Sequence, residues 1–406
     1  MVNQYRQQLD WIQAQVPAMR DELLRLSNIN SGSHNAAGVN AVAERLENLF
    51  KPLAAKTEQI ELSPHRNTGD RGELHEKPIG RALRLRHRPD APLRIFLSGH
   101  LDTVFGASHP FQQARLVNDD KIHGPGVADL KGGLLVMFLA LSALERSPWK
   151  DRIGWEVLFN PDEEIGSEGS APLFVEGAKR NHLGLVFEPS FPDGNLAGTR
   201  KGSGNFDVIV RGRAAHAGRE PHLGRNAIRA AADFTAALDA LNGARKDVTI
   251  NVGYVHGGGP TNIVPDLCVV KFNVRTAIPD DECWLHEELD RLLIAAEKRE
   301  GIKLELRGSF TRAPKIMTPA ITRLADMIAS CGRELGLKLE FKPTGGCCDG
   351  NNLAAAGLPN IDNLGVVGGE IHSDREFMRV SSLGERAQLT ALLLLKLASG
   401  ELTWRA

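Results

Sequence analysis

Three short apolar runs, each followed at once by an acid or an imidazole, constrain this chain more than any other feature. Residues 93–98, 154–159 and 183–187 are compact and bounded by turn residues, so each is predicted to be a buried strand. Between the first two lies 131–145, almost continuously apolar, which is predicted to form a helix packed against the sheet. Strand–helix–strand repetition argues for an α/β fold with a mostly parallel sheet covered by helices. Residues 5–26 carry apolar positions at helical spacing and open the chain as a helix in spite of Pro17; residues 387–398 close it as another. The segment 64–89, rich in Arg, Gly and His, reads as a hairpin or loop insertion.

After Arg200 the texture changes. Strand 206–211, helix 226–241, strands 248–255 and 267–274, helix 282–299 and strand 302–308 give the order β-α-β-β-α-β. That is the ferredoxin-like arrangement, a compact unit of roughly 100 residues. From about Thr318 the earlier alternation resumes. The simplest organisation is therefore a catalytic domain in two parts, 1–201 and 314–406, split by an inserted α+β domain at 202–313.

Composition narrows the functional classes. A formal net charge of −1 over 406 residues gives no broad basic field, which argues against a nucleic-acid partner. The basic stretches 81–88 and 211–213 are interrupted by apolar residues and read as solvated strand faces. The N-terminal 19 residues lack the apolar centre of a signal peptide, and the apolar stretch 134–144 is too short to span a bilayer. Five cysteines without a C-x-x-C pair do not form a disulfide framework and fit the cytoplasm.

The groups behind the strands carry the chemistry. His100 and Asp102 follow the first run, Glu163 and Glu164 the second, and Glu188 the third, while Asp129 precedes the apolar helix. Ligands bind beyond the carboxyl ends of strands in open parallel sheets, so these groups should converge. Alone, each has an ordinary explanation: Asp129 as a helix cap, the paired glutamates as a solvated loop, His100 as a hydrogen-bonded structural residue. Crowded together, the carboxylates would repel unless a cation held them. In His100-Leu-Asp102, side chains two apart share one face, so Asp102 can accept the second ring N–H and fix the tautomer a metal needs. Of Glu163 and Glu164, one can ligate while the other faces the reacting water as general base. His372 offers a further imidazole late in the chain.

The segments Ser98-Gly-His-Leu-Asp-Thr-Val104, Gly126-Val-Ala-Asp-Leu-Lys-Gly132, Asn160-Pro-Asp-Glu-Glu-Ile-Gly166, Phe187-Glu-Pro189 and Ile371-His-Ser-Asp-Arg-Glu376 resemble the dinuclear metallopeptidase family of glutamate carboxypeptidase, aminoacylase and acetylornithine deacetylase. The glutamate carboxypeptidase branch is the most similar. The resemblance implies that Asp129 bridges two divalent ions, zinc in the first instance, with cobalt or manganese as alternatives. His100 and Glu188 would complete one site, Glu164 and His372 the other, with Glu163 as general base. It further implies that the inserted domain makes a homodimer and presents His216 to the partner's active site as an oxyanion donor.

Substrate contacts follow from the same resemblance. Asn262 would help to hold the substrate, Arg275 and Arg312 would pair with its carboxylate, and Gly346 and Cys347 belong to a substrate loop, Gly345-Gly-Cys-Cys-Asp-Gly-Asn351. Cysteine there departs from the serine or threonine usual in the family and leaves substrate choice open. The expected reaction is hydrolysis of an amide in a small peptide or an N-acyl amino acid, as an exopeptidase or an N-acyl-amino-acid deacylase. A catalytically silent binding or assembly protein is the alternative outside enzymes; retention of Glu163 beside all five ligands argues against it.

Overall fold

The computed structural model describes residues 2–404. A six-stranded sheet runs in the order Lys56–Ile60, Ala82–His87, Ile153–Asn160, Leu93–His100, Leu183–Val186, Asn360–Ile361. The last four strands are mutually parallel, and the first two join antiparallel at one edge. Strand alternation explains why both faces are covered. Ile95 and Leu97 turn to one side, into a core shared with helices Arg6–Ser27, Ala36–Phe50, Gly132–Glu145 and Ser381–Ser399. Phe96 turns to the other, where it meets Phe174 of helix Ala171–Arg180 and Leu353 of helix Asp349–Ala355.

Helix Gly132–Glu145 is apolar all round because it lies between the sheet and Ser381–Ser399. With the turn before it, the span Val127–Glu145 is long and apolar enough by composition to cross a membrane, yet the fold buries 94% of its apolar window. Residues 134–144 alone therefore understate this helix. Gly133 lets its first turn press on the strand that delivers Glu188, since a Cβ there would come within 2.1 Å of the Phe187 carbonyl oxygen.

The second sheet is antiparallel, in the order Thr249–Gly257, Leu267–Thr276, Gly202–Arg211, Lys303–Arg312, with helices Ala227–Asp239 and Pro279–Glu297 on one face. This is the β-α-β-β-α-β order expected from the sequence. Its own core centres on Phe206, Val208, Phe234, Val270, Phe272 and Leu289. The helix-free face is not open. Hairpin His65–Thr68/Leu74–Lys77 reaches across from the first sheet's side, and its tip packs Gly72 (φ +76°) against Ile209. Lys271 donates to the Thr68 carbonyl, Arg307 to that of Gly72 at 3.0 Å, and Tyr254 to Asp70 at 2.6 Å.

Segment 64–89 thus contains the expected hairpin, but also Ala82–His87, a strand of the main sheet. Residues 81–88 are not a solvated face: Arg84 is 7% exposed and lies within salt-bridge distance of Glu58, Glu156 and Glu176. Arginine in the run disguises its burial, because the compensating acids come from distant segments.

Candidate metal centre and active site

Parallel pairing of Leu93–His100 with both Ile153–Asn160 and Leu183–Val186 sets their carboxyl ends along one rim. His100, the turn bearing Glu163 and Glu164, and Glu188 are delivered there. Asp129 enters from the turn before Gly132–Glu145, and His372 from the loop before strand Phe377–Arg379. His372 has φ +61°, a left-handed conformation that is unfavourable for a side chain with a Cβ and that the surrounding contacts must hold.

Asp129 is shared between two groups. Its Oδ1 lies 3.1 Å from Nε2 of His100, and its Oδ2 3.2 Å from Nε2 of His372. Glu188 Oε2 stands 4.0 Å from the first imidazole nitrogen, and Glu164 Oε2 3.2 Å from the second. His100, Asp129 and Glu188 form one triad; Asp129, Glu164 and His372 form the other. Within each, the donor atoms lie within 4.8 Å of one another. Imidazole nitrogen with carboxylate oxygen suits a divalent transition ion, and a carboxylate with one oxygen toward each triad can bridge two.

The electrostatics agree with that fit. Burial pushes Glu164 up to about 8 and Glu188 well above the usual carboxylate range. Burial also opposes ionisation of Asp129, but hydrogen bonds from His100 and His372 outweigh it and hold Asp129 low. Hydrogen bonds to Asp129 and Glu164 push His372 up to about 11. Protons on the imidazoles thus act as counter-charge to clustered carboxylates, a place that divalent cations take with release of those protons.

Asp102 organises this rim in two directions. His100 Nδ1 is 3.0 Å from the main-chain carbonyl of Asp102 and 3.4 Å from its carboxylate, so the expected carboxylate contact is the longer of the two. The reason is that the carboxylate has other donors. It accepts from the Glu163 and Glu164 amides, each at 3.2 Å, and from Ser33 Oγ at 2.7 Å. Glu163 is tied to Arg312: its carboxylate receives Arg312 Nη2 at 2.8 Å, and the same nitrogen bonds the Glu163 carbonyl at 3.0 Å and Ser167 Oγ at 2.7 Å. Burial raises the Glu163 pKa while Arg312 draws it back.

Residues 96–396 match the model of peptidase family M20/M25/M40. Carboxypeptidase G2 of Pseudomonas sp. is 30% identical over 398 residues, which cover 95% of this chain and 90% of that protein. The chain belongs to peptidase family M20/M25/M40. A succinyl-diaminopimelate desuccinylase of Xanthomonas campestris is 29% identical over 316 residues, covering 73% of this chain and 81% of the relative. An M20 family metallo-carboxypeptidase from Sulfolobus solfataricus shares the fold, with a TM-score of 0.71 at 17% identity over 92% of this chain and 97% of the other. This M20 protein is a metal-dependent hydrolase of peptide or other amide bonds.

The other residues singled out in the sequence of the M20 chain fall into two places. Arg275 and Arg312, at the ends of the two inserted-domain strands that flank Gly202–Arg211, both turn Nη1 toward Cys347 Sγ, at 3.1 and 3.9 Å. Gly346, beside it, accepts from Arg200 Nη1 at 3.2 Å. His216 and Asn262 lie instead together on an exposed ribbon, in which His216 pairs with Ile263 and the Ala217 amide donates to the Asn262 carbonyl at 2.8 Å. Nδ1 of His216 accepts from the Gly218 and Arg219 amides at 3.1 Å, which leaves Nε2 as the outward donor. Among the described residues, the side-chain hydrogen bonds of His216 stay within its own turn.

Ser33, Asp349 and Glu376 have positioning contacts at this site that the sequence does not reveal. Asp349 ties together Asn160 at 2.8 Å and Ser167 at 2.6 Å, and lies 3.4 Å from Arg312. Nothing local marks Ser33, whose partner Asp102 is 69 residues away, and Asp349, within the substrate-loop segment, meets Asn160 from 189 residues away. Glu376 likewise stands inside a segment quoted for the resemblance, four residues after His372.

Proposed function

We propose that this M20 hydrolase removes a carboxylate-bearing C-terminal residue from a small peptide or an N-acyl amino acid, as a carboxypeptidase. One observation carries the choice. Arg275 is half-buried with no carboxylate within ion-pair distance among the described residues, and its hydrogen bonds go to Asn273 and Cys347. An unspent guanidinium beside the cleft, with a second one 3.9 Å from the same sulfur, is matched by a substrate carboxylate. The carboxypeptidase relative supports the same choice, and the desuccinylases support the deacylase as second reading.

His100, Asp129 and Glu188 would hold one divalent ion and Asp129, Glu164 and His372 the other, zinc first, cobalt or manganese as alternatives. Bound there, such ions supply Lewis acidity to the scissile carbonyl and to a water nucleophile. Glu163 takes the proton of the attacking water and returns it to the leaving amine. Arg312 holds Glu163 in place and, with Arg275, receives the leaving residue's carboxylate. Asn262 steadies the substrate, and Gly346 and Cys347 form the wall behind it. The acyl side runs into the adjoining cavity of about 320 Å³ lined by His34, Thr103, Val104, Glu164 and Ile165.

In this proposal the inserted unit, 202–313, forms a homodimer, and His216 donates Nε2–H to the oxyanion in the partner's cleft. Five unpaired cysteines support work in the reducing cytosol. The test is a panel of N-acyl amino acids and α- and γ-glutamyl peptides, each with a free and an amidated C-terminal carboxyl. Cleavage only of the free acids, with KM raised at least tenfold by Arg275→Ala, is expected; equal cleavage of both forms would remove the carboxylate site.

A further inference from the structure

We propose that Glu376 is a positioning residue that fixes the Asp129–His372–Glu164 ion site specifically. The inference rests on the ligand set proposed above. Glu376 is 1% exposed and has no Lys or Arg within ion-pair distance among the described residues; buried Lys131 acts on it only from farther off. The groups in direct contact with its carboxylate are three main-chain N–H donors. Oε1 accepts from the Ala128 and Asp129 amides at 2.9 and 3.0 Å, and Oε2 from the Gly126 amide at 2.9 Å. A row of converging backbone amides is a nest for an anion. Here the anion belongs to the chain.

What the nest connects gives it a purpose. One of the three donors is the amide of Asp129 itself, so the carboxylate sets the backbone from which both bridging oxygens project. Its own main chain is tied to the loop bearing His372: the Glu376 amide donates to the Ser373 carbonyl at 3.1 Å, and the Gly124 amide to the Glu376 carbonyl at 3.2 Å. His123 Nε2 lies 2.8 Å from the Asp374 carbonyl oxygen, and strand Phe377–Arg379 pairs with Lys121–His123. Asp129 and His372, 243 residues apart in the chain, are thereby brought into one unit around one side chain. The loop needs such support, because His372 holds its left-handed backbone with an exposed side chain. His100, Glu164 and Glu188 follow buried strands and do not depend on it.

Selectivity is the consequence. Loss of the Glu376 charge disturbs two of three ligands in the His372 triad, but only the shared one in the His100 triad. The experiment titrates metal-free wild type and Glu376→Gln with Zn(II) against a chromophoric chelator, reading the number and affinity of bound ions without any activity measurement. The variant should bind one ion within about threefold of wild type and the other about 10–100-fold more weakly, the range for lost outer contacts to metal ligands. Glu376→Asp keeps the charge but withdraws the oxygens by one methylene. It should weaken the same ion and stands in if the glutamine variant does not fold. Two ions held at wild-type affinity, or both weakened equally, would overturn the role of Glu376. Fewer than two ions in wild type would instead overturn the ligand assignment itself.

Discussion

The two sides of the active cleft are built on different principles. On the metal side most functional groups stand at strand ends or in the turns beside them and are buried: His100 is 1% exposed, Asp102 1%, Asp129 6% and Glu188 8%, while His372 comes from an exposed loop. On the inserted-domain side, Arg275 and Arg312 reach in on long side chains from a separate core. Apart from its two chain connections, much of that unit's contact with the rest is polar and peripheral, as where Tyr254, 38% exposed, meets Asp70 at the hairpin tip. Close-packed strand ends resist small displacements, whereas exposed polar pairs are worth little and exchange readily with water. The comparison teaches a division of labour: the metal side holds geometry, and the inserted side is suited to move and discriminate.

The largest effect should come from Glu163, a metal-side group outside the proposed ligand set. Glu163→Gln keeps the size of the side chain and removes its basicity, so turnover should fall by about 10²–10⁴-fold while both ions stay bound. Metal content and kcat measured on one preparation test this. Near-normal kcat would mean that Glu163 only seats Arg312, and the division of labour would fail at its centre.

Arg312 comes next, because it is where the two sides touch chemically. Breaking a buried ion pair from one side costs about 3–5 kcal/mol, so Arg312→Ala should lower both stability and kcat/KM. Arg312→Lys retains the charge but not the fork that reaches Glu163 and Ser167 together, and it should recover stability better than activity. Chemical denaturation alongside kcat/KM separates the two. If lysine restores both equally, Arg312 acts by charge alone.

These contrasts also explain what was legible in the sequence. A buried strand followed by His or Glu is a local pattern, which is why residues 93–98, 154–159 and 183–187 announced both the sheet and its rim. The inserted unit was legible for the same reason: Phe206, Val208 and Val210 alternate toward one core. Contacts paid for by distant partners were not. Arg84 hid the strand Ala82–His87, because its compensating Glu156 lies on a different strand. Asp102 was expected to serve His100 through its carboxylate, yet the amides of Glu163 and Glu164 engage it, and backbone donors leave no trace in side-chain patterns. Nor could residue order foretell that a hairpin at 65–77 would cover the inserted sheet.

Metal removal should separate the sides further. Ions bound at about 1,000 times their Kd stabilise a fold by about 4 kcal/mol, and here that linkage acts on the strand-end rim. Hydrogen exchange after chelation should therefore accelerate around residues 126–131 and 370–376 and leave the core of Phe206, Val270 and Leu289 unchanged. Equal acceleration in both would show one cooperative unit, against the proposed separation.

The smallest effect should lie at the hairpin tip, and it bears most directly on the comparison. Tyr254→Phe deletes one hydroxyl, which donates to Asp70 at 2.6 Å in an exposed pair. Such a contact contributes below about 1 kcal/mol, so the melting temperature should fall by no more than about 2–4 °C. Its functional effect should be confined to the inserted side. A looser tip lets the sheet carrying Arg275 and Arg312 sample more orientations, which raises KM about two- to threefold at unchanged metal affinity and nearly unchanged kcat. Asp70→Ala removes the same bond from the other partner and should match it, and the double variant should add nothing, because both changes delete one interaction. A loss of several kcal/mol in either single variant would mean that the hairpin is a structural pillar of the inserted sheet. The polar seam would then be as rigid as the rim it faces, and substrate discrimination would have to come from fixed geometry on both sides.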